Sequence, residues 1–196
     1  MKLLHLFGSP RPNGNTADIS AEFCREAELR GAQIDTYHLN KLSYRGCQAC
    51  FACKKSADRC VLQDDITPAL DAMQEADVIL LSSPVYYTDV TAQLKGFIDR
   101  TFAYFVPEYW KYEQKSRLKP GKHLVFLLVQ GAVDESRFAD IFPRYRDVFA
   151  WLGFEQIHLL RATGVYWPGQ AAKHPEFLND ARRLAQEIFL AATTDT

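Results

Sequence analysis

Residues 78–89 read Val78-Ile79-Leu80-Leu81-Ser82-Ser83-Pro84-Val85-Tyr86-Tyr87-Thr88-Asp89. Four consecutive aliphatic side chains leave no polar face, the pattern of a central parallel strand covered on both sides, and Ser-Ser-Pro then ends it. Asp77–Ser82 is therefore expected to be a strand buried in the middle of a sheet. The same pattern recurs at His123–Gln130 (Leu124-Val125-Phe126-Leu127-Leu128-Val129) and, in shorter form, at Lys2–Phe7. Gln33–Leu39 and Gln156–Leu160 supply two further strands.

Between these runs the apolar period lengthens to that of a helix. Thr16–Arg30 places Ile19, Phe23 and Ala27 on one face, and Gly31 stops it. Asp64–Glu75 opens with acids, which suit a helix N-terminus. Val90–Phe102, Glu135–Leu152 (ended by Gly153) and Glu176–Ala191 complete the set. Strands alternating with helices predict one α/β domain over residues 1–196. Its expected form is a doubly wound five-stranded parallel sheet, order 2-1-3-4-5, with helices on both faces and right-handed crossovers.

Bulk properties narrow the function. The chain has 196 residues, 47% hydrophobic and 24% charged, with a net charge of −1. Near-neutrality speaks against a nucleic-acid module and against a carrier that docks through strong acidity. The N-terminal apolar run reaches Gly8 too soon for a signal peptide, and no apolar run is long enough to span a bilayer. The expectation is a soluble, cytoplasmic protein with no membrane or nucleic-acid partner. Five cysteines are then expected to be thiols or metal ligands rather than a disulfide framework.

In such a sheet, ligands lie beyond the carboxyl ends of the strands at the switch point between the first and third strands. The first loop, Gly8-Ser9-Pro10-Arg11-Pro12-Asn13-Gly14-Asn15-Thr16, aims backbone N–H groups and a helix N-terminus at that point, with Ser9, Arg11, Asn15 and Thr16 able to meet a phosphate. The alternative is a plain turn with Asn15 as helix cap. The loop is neither a Walker loop nor a Gly-x-Gly-x-x-Gly fingerprint. In the second loop, Tyr86 and Tyr87 present flat surfaces to a planar ring, or else pack under a helix. The third, Gln130-Gly131-Ala132-Val133-Asp134, brings further N–H groups to the same crevice.

Together these residues carry a resemblance. Gly-Ser-Pro-Arg-x-x-Gly-Asn-Thr, then Ser-Pro-Val-Tyr-Tyr with Leu94-Lys95-Gly96-Phe97-Ile98-Asp99-Arg100, and Gln-Gly after the fourth strand resemble the NADPH-dependent FMN reductase group of flavodoxin-like proteins, over roughly residues 1–135. The resemblance implies that Ser9, Arg11, Asn15 and Thr16 hold the FMN phosphate. Pro84, Val85, Tyr86 and Tyr87 would line the isoalloxazine, and Gly131 would approach its pyrimidine side. Thr88 stands where many relatives carry Gly. The implied chemistry is hydride transfer from NAD(P)H and delivery of electrons to a quinone, nitro compound, flavin, metal ion or protein, with no catalytic side chain. The resemblance also implies a homodimer or homotetramer.

Cys47-x-x-Cys50-x-x-Cys53 followed by Cys60 resembles ferredoxin-type cluster loops and, more closely, the cysteine motif of iron–sulfur flavoproteins, a branch of the same group, where four cysteines hold a [4Fe-4S] cluster. Zinc and plain thiols are the other readings of these residues. Cys24 is expected to be an inert packed thiol, and histidines 5, 38, 123, 158 and 174 to be structural. Tyr104–Lys119 mixes aromatic and basic residues, which suits a lid over the flavin or a subunit contact. Three functions follow: an FMN-dependent oxidoreductase, an iron–sulfur flavoprotein electron carrier, or a non-catalytic flavodoxin-fold binding module.

Overall fold

The computed structural model describes residues 1–191. In chain order its strands and α-helices are β1 (Lys2–Phe7), α1 (Asn15–Leu29), β2 (Gln33–His38), α2 (Ala52–Lys55), α3 (Thr67–Glu75), β3 (Val78–Pro84), α4 (Ala92–Arg100), β4 (His123–Val129), α5 (Ile141–Trp151), β5 (Gln156–Ala162) and α6 (Pro175–Ala191). The five strands form one parallel sheet of order β2-β1-β3-β4-β5, as the alternation of patterns predicts. Strand alternation splits the core into two layers. Leu4, Leu6, Ile79, Leu81, Leu124 and Phe126 pack against α3, α4 and α5. On the other face Leu3, Val78, Leu80, Val125 and Leu127 meet Ile19, Phe23 and Ala27 of α1 and Ala181, Ala185 and Ile188 of α6. Burying each such aliphatic or aromatic side chain contributes about 1.5–3 kcal/mol, and these strands bury them on both sides.

Helix ends follow local chemistry. Gly31, at φ +79°, closes α1, with its N–H donating to Glu28 O and that of Ala32 to Ala27 O. Thr91 caps α4, its hydroxyl accepting from Leu94 N at 3.3 Å, so this helix starts after Val90 rather than at it. Asp64 does not serve as the helix start that its charge suggested. It pairs with Arg100 at 2.8 Å, and α3 begins at Thr67 with Pro68 in its first turn.

The largest departure lies after β4. A helix expected from Glu135 begins only at Ile141. Gln130 Nε2 instead donates to the carbonyls of Ala132 and Asp134, Ser136 N donates to Asp134 Oδ1 at 2.8 Å, and Phe138 sits at φ +65°, which no helix tolerates. Residues 131–140 thus form a loop pinned from beneath. The Tyr104–Lys119 segment also folds differently from a lid. Tyr104 and Phe105 are buried in the core, and Phe105 bridges Ser116 in antiparallel fashion.

His5, on β1, is fully buried, with Nε2 2.8 Å from Ser82 Oγ and Nδ1 3.7 Å from Cys24 Sγ. Burial, then the His38 charge, lowers its pKa to about 3, while burial and then Glu28 push the Cys24 thiol up to about 12. Both are therefore neutral packed groups at physiological pH. The unfolded chain takes up the His5 proton near pH 6.5, and the folded chain does so only near 3. Between those values the unfolded state binds more protons, so stability falls as pH falls, by at most about 1.4 kcal/mol per pH unit for this group. Urea unfolding of wild type and His5→Gln between pH 7 and 4 should show the steeper acid loss in wild type. Parallel curves would mean that the histidine is charged in the fold.

Candidate functional site

At the carboxyl ends of β1 and β3 the chain opens a cleft of about 830 Å³ lined by residues from four loops. The first follows β1. Gly8 N donates to Ser82 O at 2.8 Å, and Thr91 Oγ1 donates to Gly8 O at 2.8 Å, which ties this loop to β3 and α4. The Ser9 hydroxyl then bends the chain, accepting from Arg11 N and donating to Arg11 O. Thr16 is buried and lines the cleft, and among the described residues its hydroxyl has no protein partner. Arg11 is exposed beside it, in no ion pair among the described residues. The first-turn N–H groups of α1 point the same way, so donors and a positive charge converge where an anion would lie.

Asn15 lines the cleft as expected, but its carboxamide is used elsewhere. Its Nδ2 donates to Val165 O at 3.1 Å and Trp167 O at 3.0 Å, and its Oδ1 accepts from Ala171 N at 3.0 Å. It straps the loop after β5 onto α1, leaving only its backbone N–H for a ligand. Nor is it the cap, since Gly14 precedes the helix and Asn15 is its first residue.

The second loop continues β3. Pro84, Val85, Tyr86 and Tyr87 all line the cleft, Tyr86 part-exposed and Tyr87 fully so. Tyr86 and Asp89 exchange both backbone hydrogen bonds across a turn in which Tyr87 (φ 44°) and Thr88 (φ 69°) are left-handed. A β-branched residue is poorly suited to that region, so the surrounding contacts must hold Thr88 there. Asp89 anchors the turn, accepting from Val90 N at 2.7 Å and from the Tyr145 hydroxyl at 2.9 Å, with Arg144 at 3.5 Å. Burial, then Asp89, raises the Tyr145 pKa, so that hydroxyl stays a donor.

The third wall is the loop after β4, with Gly131, Ala132, Arg137 and Phe138. A side chain at Gly131 would stand 2.7 Å from Tyr166 Cδ2, so the close approach that requires glycine is made by this tyrosine. The fourth wall is the loop after β5, carrying Val165 and Tyr166. Sequence reasoning missed Asp89, Arg137, Phe138, Val165 and Tyr166. The signal for the last two was Gly164-Val165-Tyr166-Trp167-Pro168-Gly169 following a strand on the same sheet edge. None of residues 104–119 lines the cleft, which corrects the lid reading.

The cysteines lie at a second place. Ala49 and Phe51 are left-handed, and Cys53 falls in the short α2. Cys53 is buried, Cys60 half-buried, and Cys47 and Cys50 exposed. All four line one largely apolar cavity of about 120 Å³ that shares no lining residue with the cleft. Among the described residues no three His, Cys, Asp or Glu groups stand where they would hold a metal ion. Cations back the cavity. Arg100 is wholly buried and clamps the base of the loop through Arg45 O, Leu62 O and Asp64. Arg117 donates to Cys53 O, and Lys54 donates to Phe102 O and Phe105 O. Burial tends to raise the Asp64 pKa, but the Arg100 hydrogen bond leads the contacts that hold it below the usual range.

A parallel sheet of this order with a cleft at its switch point defines a flavodoxin-like protein. The chain belongs to the family described as the flavodoxin-like fold, whose model matches residues 1–188. An "Iron-sulfur flavoprotein" of Archaeoglobus fulgidus is 36% identical over 104 residues, 53% of this chain and 47% of that one. The chain spans about half the length of the first curated relatives that it matches. An "FMN-dependent NADH:quinone oxidoreductase" of Stenotrophomonas maltophilia is 24% identical over 178 residues, 87% of this chain and 88% of that one. The solved NAD(P)H:quinone oxidoreductase of Methanothermobacter marburgensis superposes with a TM-score of 0.73 at 19% identity, covering 96% of each chain.

If Asn15 is a strap, Asn15→Ala removes three hydrogen bonds and strands buried backbone groups, at a cost of about 2–4 kcal/mol. Chemical unfolding should report that loss, with faster amide exchange in residues 164–171. An unchanged midpoint would return Asn15 to the ligand.

Proposed function

We propose that this chain is an FMN-dependent NAD(P)H oxidoreductase acting on small electron acceptors of the quinone, nitro or flavin kind. The observation that carries the reading is the composition of the cleft: two arginines, no acid, unpartnered donors at the start of α1, and two adjacent tyrosines opposite. This fits an anionic, planar cofactor in kind, and the names of the relatives point the same way. Thr16, Arg11 and the backbone at 9–16 would hold the phosphate. Pro84, Val85, Tyr86 and Tyr87 would lie along the ring, with the 131–132 backbone at its polar edge. Bound FMN would supply the hydride and electron chemistry, and the protein's part is to orient the ring, shield one face and leave the other open between Tyr87 and Tyr166. No His, Asp, Glu, Lys or Cys side chain lines the cleft, which suits chemistry carried by a cofactor. Thr16→Val should weaken FMN binding by about 1–3 kcal/mol through loss of a charge-assisted bond, read by fluorescence titration of apoprotein. Undiminished affinity would place the phosphate elsewhere.

A second reading, an iron–sulfur flavoprotein, is favoured by the shared cavity of Cys47, Cys50, Cys53 and Cys60 and the cations behind it. The four thiols do not converge in this structure, but drawn together as thiolates they would be the donor set for a [4Fe-4S] cluster, and Arg100, Lys54 and Arg117 would offset its negative charge. Anaerobic reconstitution should then give iron and sulfide in wild type, and Cys53→Ala should lose the iron while retaining FMN. A reconstituted wild type without iron would leave the loop structural.

A further inference from the structure

The cleft keeps one cation that the flavin reading leaves unused. Arg11 lies at the phosphate end, but Arg137 lies on the loop after β4, which the strand order places on the far side of β3 from the first loop. The Arg137 guanidinium forms no ion pair among the described residues. Among the described residues it makes no hydrogen bond either, and it faces the ring of Phe138, with 5.5 Å from the guanidinium carbon to the ring centroid. Asp134 is an acid that feels its charge. That carboxylate is held low first by its hydrogen bonds with Ser136 and only then by Arg137 and Arg161.

The loop is built to hold this residue in place. Gln130 is buried and grips Ala132 O and Asp134 O, while its Oε1 accepts two hydrogen bonds from Arg161, at 3.2 and 2.7 Å. Arg161 also donates to the carbonyl of Arg137 itself. Phe138 is kept in the left-handed region at φ +65°, a strained conformation that persists only when its surroundings impose it. Around this arginine, whose backbone is pinned while its side chain is exposed, the cleft is lined by the solvent-exposed rings of Tyr87 and Tyr166, and Trp167 stands edge-on to Tyr166 with centroids 5.0 Å apart. Exposed apolar and aromatic rims mark binding surfaces, and a planar fork of N–H donors reads carboxylate, sulfonate or phosphate.

We propose that Arg137 is a specificity-determining residue for the molecules that enter the cleft beside the flavin, selecting those that carry an additional anionic group. This rests on the flavin reading. The shared chemistry is the anion, which comes either from an acidic acceptor such as a sulfonated quinone or from the extra phosphate of NADPH. In the net reaction the reduced nicotinamide nucleotide gives up a hydride. The quinone gains those two electrons with two protons, one of them from solvent, to become the hydroquinone.

The test compares wild type, Arg137→Gln and Arg137→Lys in the FMN-loaded protein. Two kcat/KM ratios are read: 1,4-naphthoquinone-2-sulfonate against 1,4-naphthoquinone, and NADPH against NADH. Ratios within one variant cancel differences in flavin content and acceptor potential. In Arg137→Gln one ratio should fall about tenfold, the loss of one charge-assisted contact, and Arg137→Lys should restore most of it. A fall in the first ratio assigns the anion to the acceptor, and a fall in the second assigns it to the nucleotide phosphate. A flavin-bearing, quinone-reducing protein with both ratios unchanged overturns this inference alone. A chain that binds no FMN overturns the flavin reading and this one together.

Discussion

The junction of Gly8, Ser82 and Thr91 is the contact on which the rest of the site depends. Gly8 N donates to Ser82 O, and the Thr91 hydroxyl donates to Gly8 O while capping α4. A Cβ at Gly8 would lie 2.9 Å from Leu94 Cβ and 3.0 Å from Ser82 O, so only glycine lets β1 leave the sheet this close to β3 and α4. That proximity sets the first and second loops side by side at the switch point. Parallel registry alone would bring the strand ends together. The junction fixes the direction in which the chain leaves them, and so creates one cleft instead of two turns.

Strain is placed where the cleft opens and not in the sheet. Tyr87, Thr88 and Phe138 are left-handed without being glycine, and each is held by a polar anchor: the part-exposed Asp89 beside the first pair, and buried Gln130 with Arg161 under the third. The cysteine loop repeats the device, with Ala49 and Phe51 left-handed and Arg100 beneath. The conformational cost is borne by networks whose removal would free whole loops. The charge pattern follows the same division of labour: a chain with net charge −1 presents a cleft with two cations and no acid.

What was legible in the sequence is what depends on near neighbours and apolar period. Val78–Leu81 and Leu124–Val129 could hardly be anything but central strands, and their alternation with helices gave the sheet order. The cleft residues of the first two loops were readable because Gly-Ser-Pro-Arg and Ser-Pro-Val-Tyr-Tyr lie directly after strands. The rest depended on partners far along the chain. Asn15 looks like a phosphate ligand until Val165, Trp167 and Ala171 occupy its amide. Residues 135–140 look helical until Gln130 claims the carbonyls of Ala132 and Asp134 just before them and Arg161 claims that of Arg137. Asp64 looks like a helix-starting acid until Arg100 buries itself against it. A polar side chain can be assigned to ligand or scaffold only when its competitors for hydrogen bonds are known.

The Asn15 strap also bears on the order in which the molecule is made. Its partners lie 150 to 156 positions downstream, and α1 shares its buried face with α6 at the other end of the chain. Contacts of such separation require closure of most of the chain, and they form late compared with local turns and helices. During synthesis the first loop leaves the ribosome early, yet its fourth wall and its strap do not exist until about residue 171 has emerged. A nascent chain therefore holds an incomplete cleft through most of its elongation. A ligand that needs all four walls cannot be held until the loop after β5 has closed onto α1.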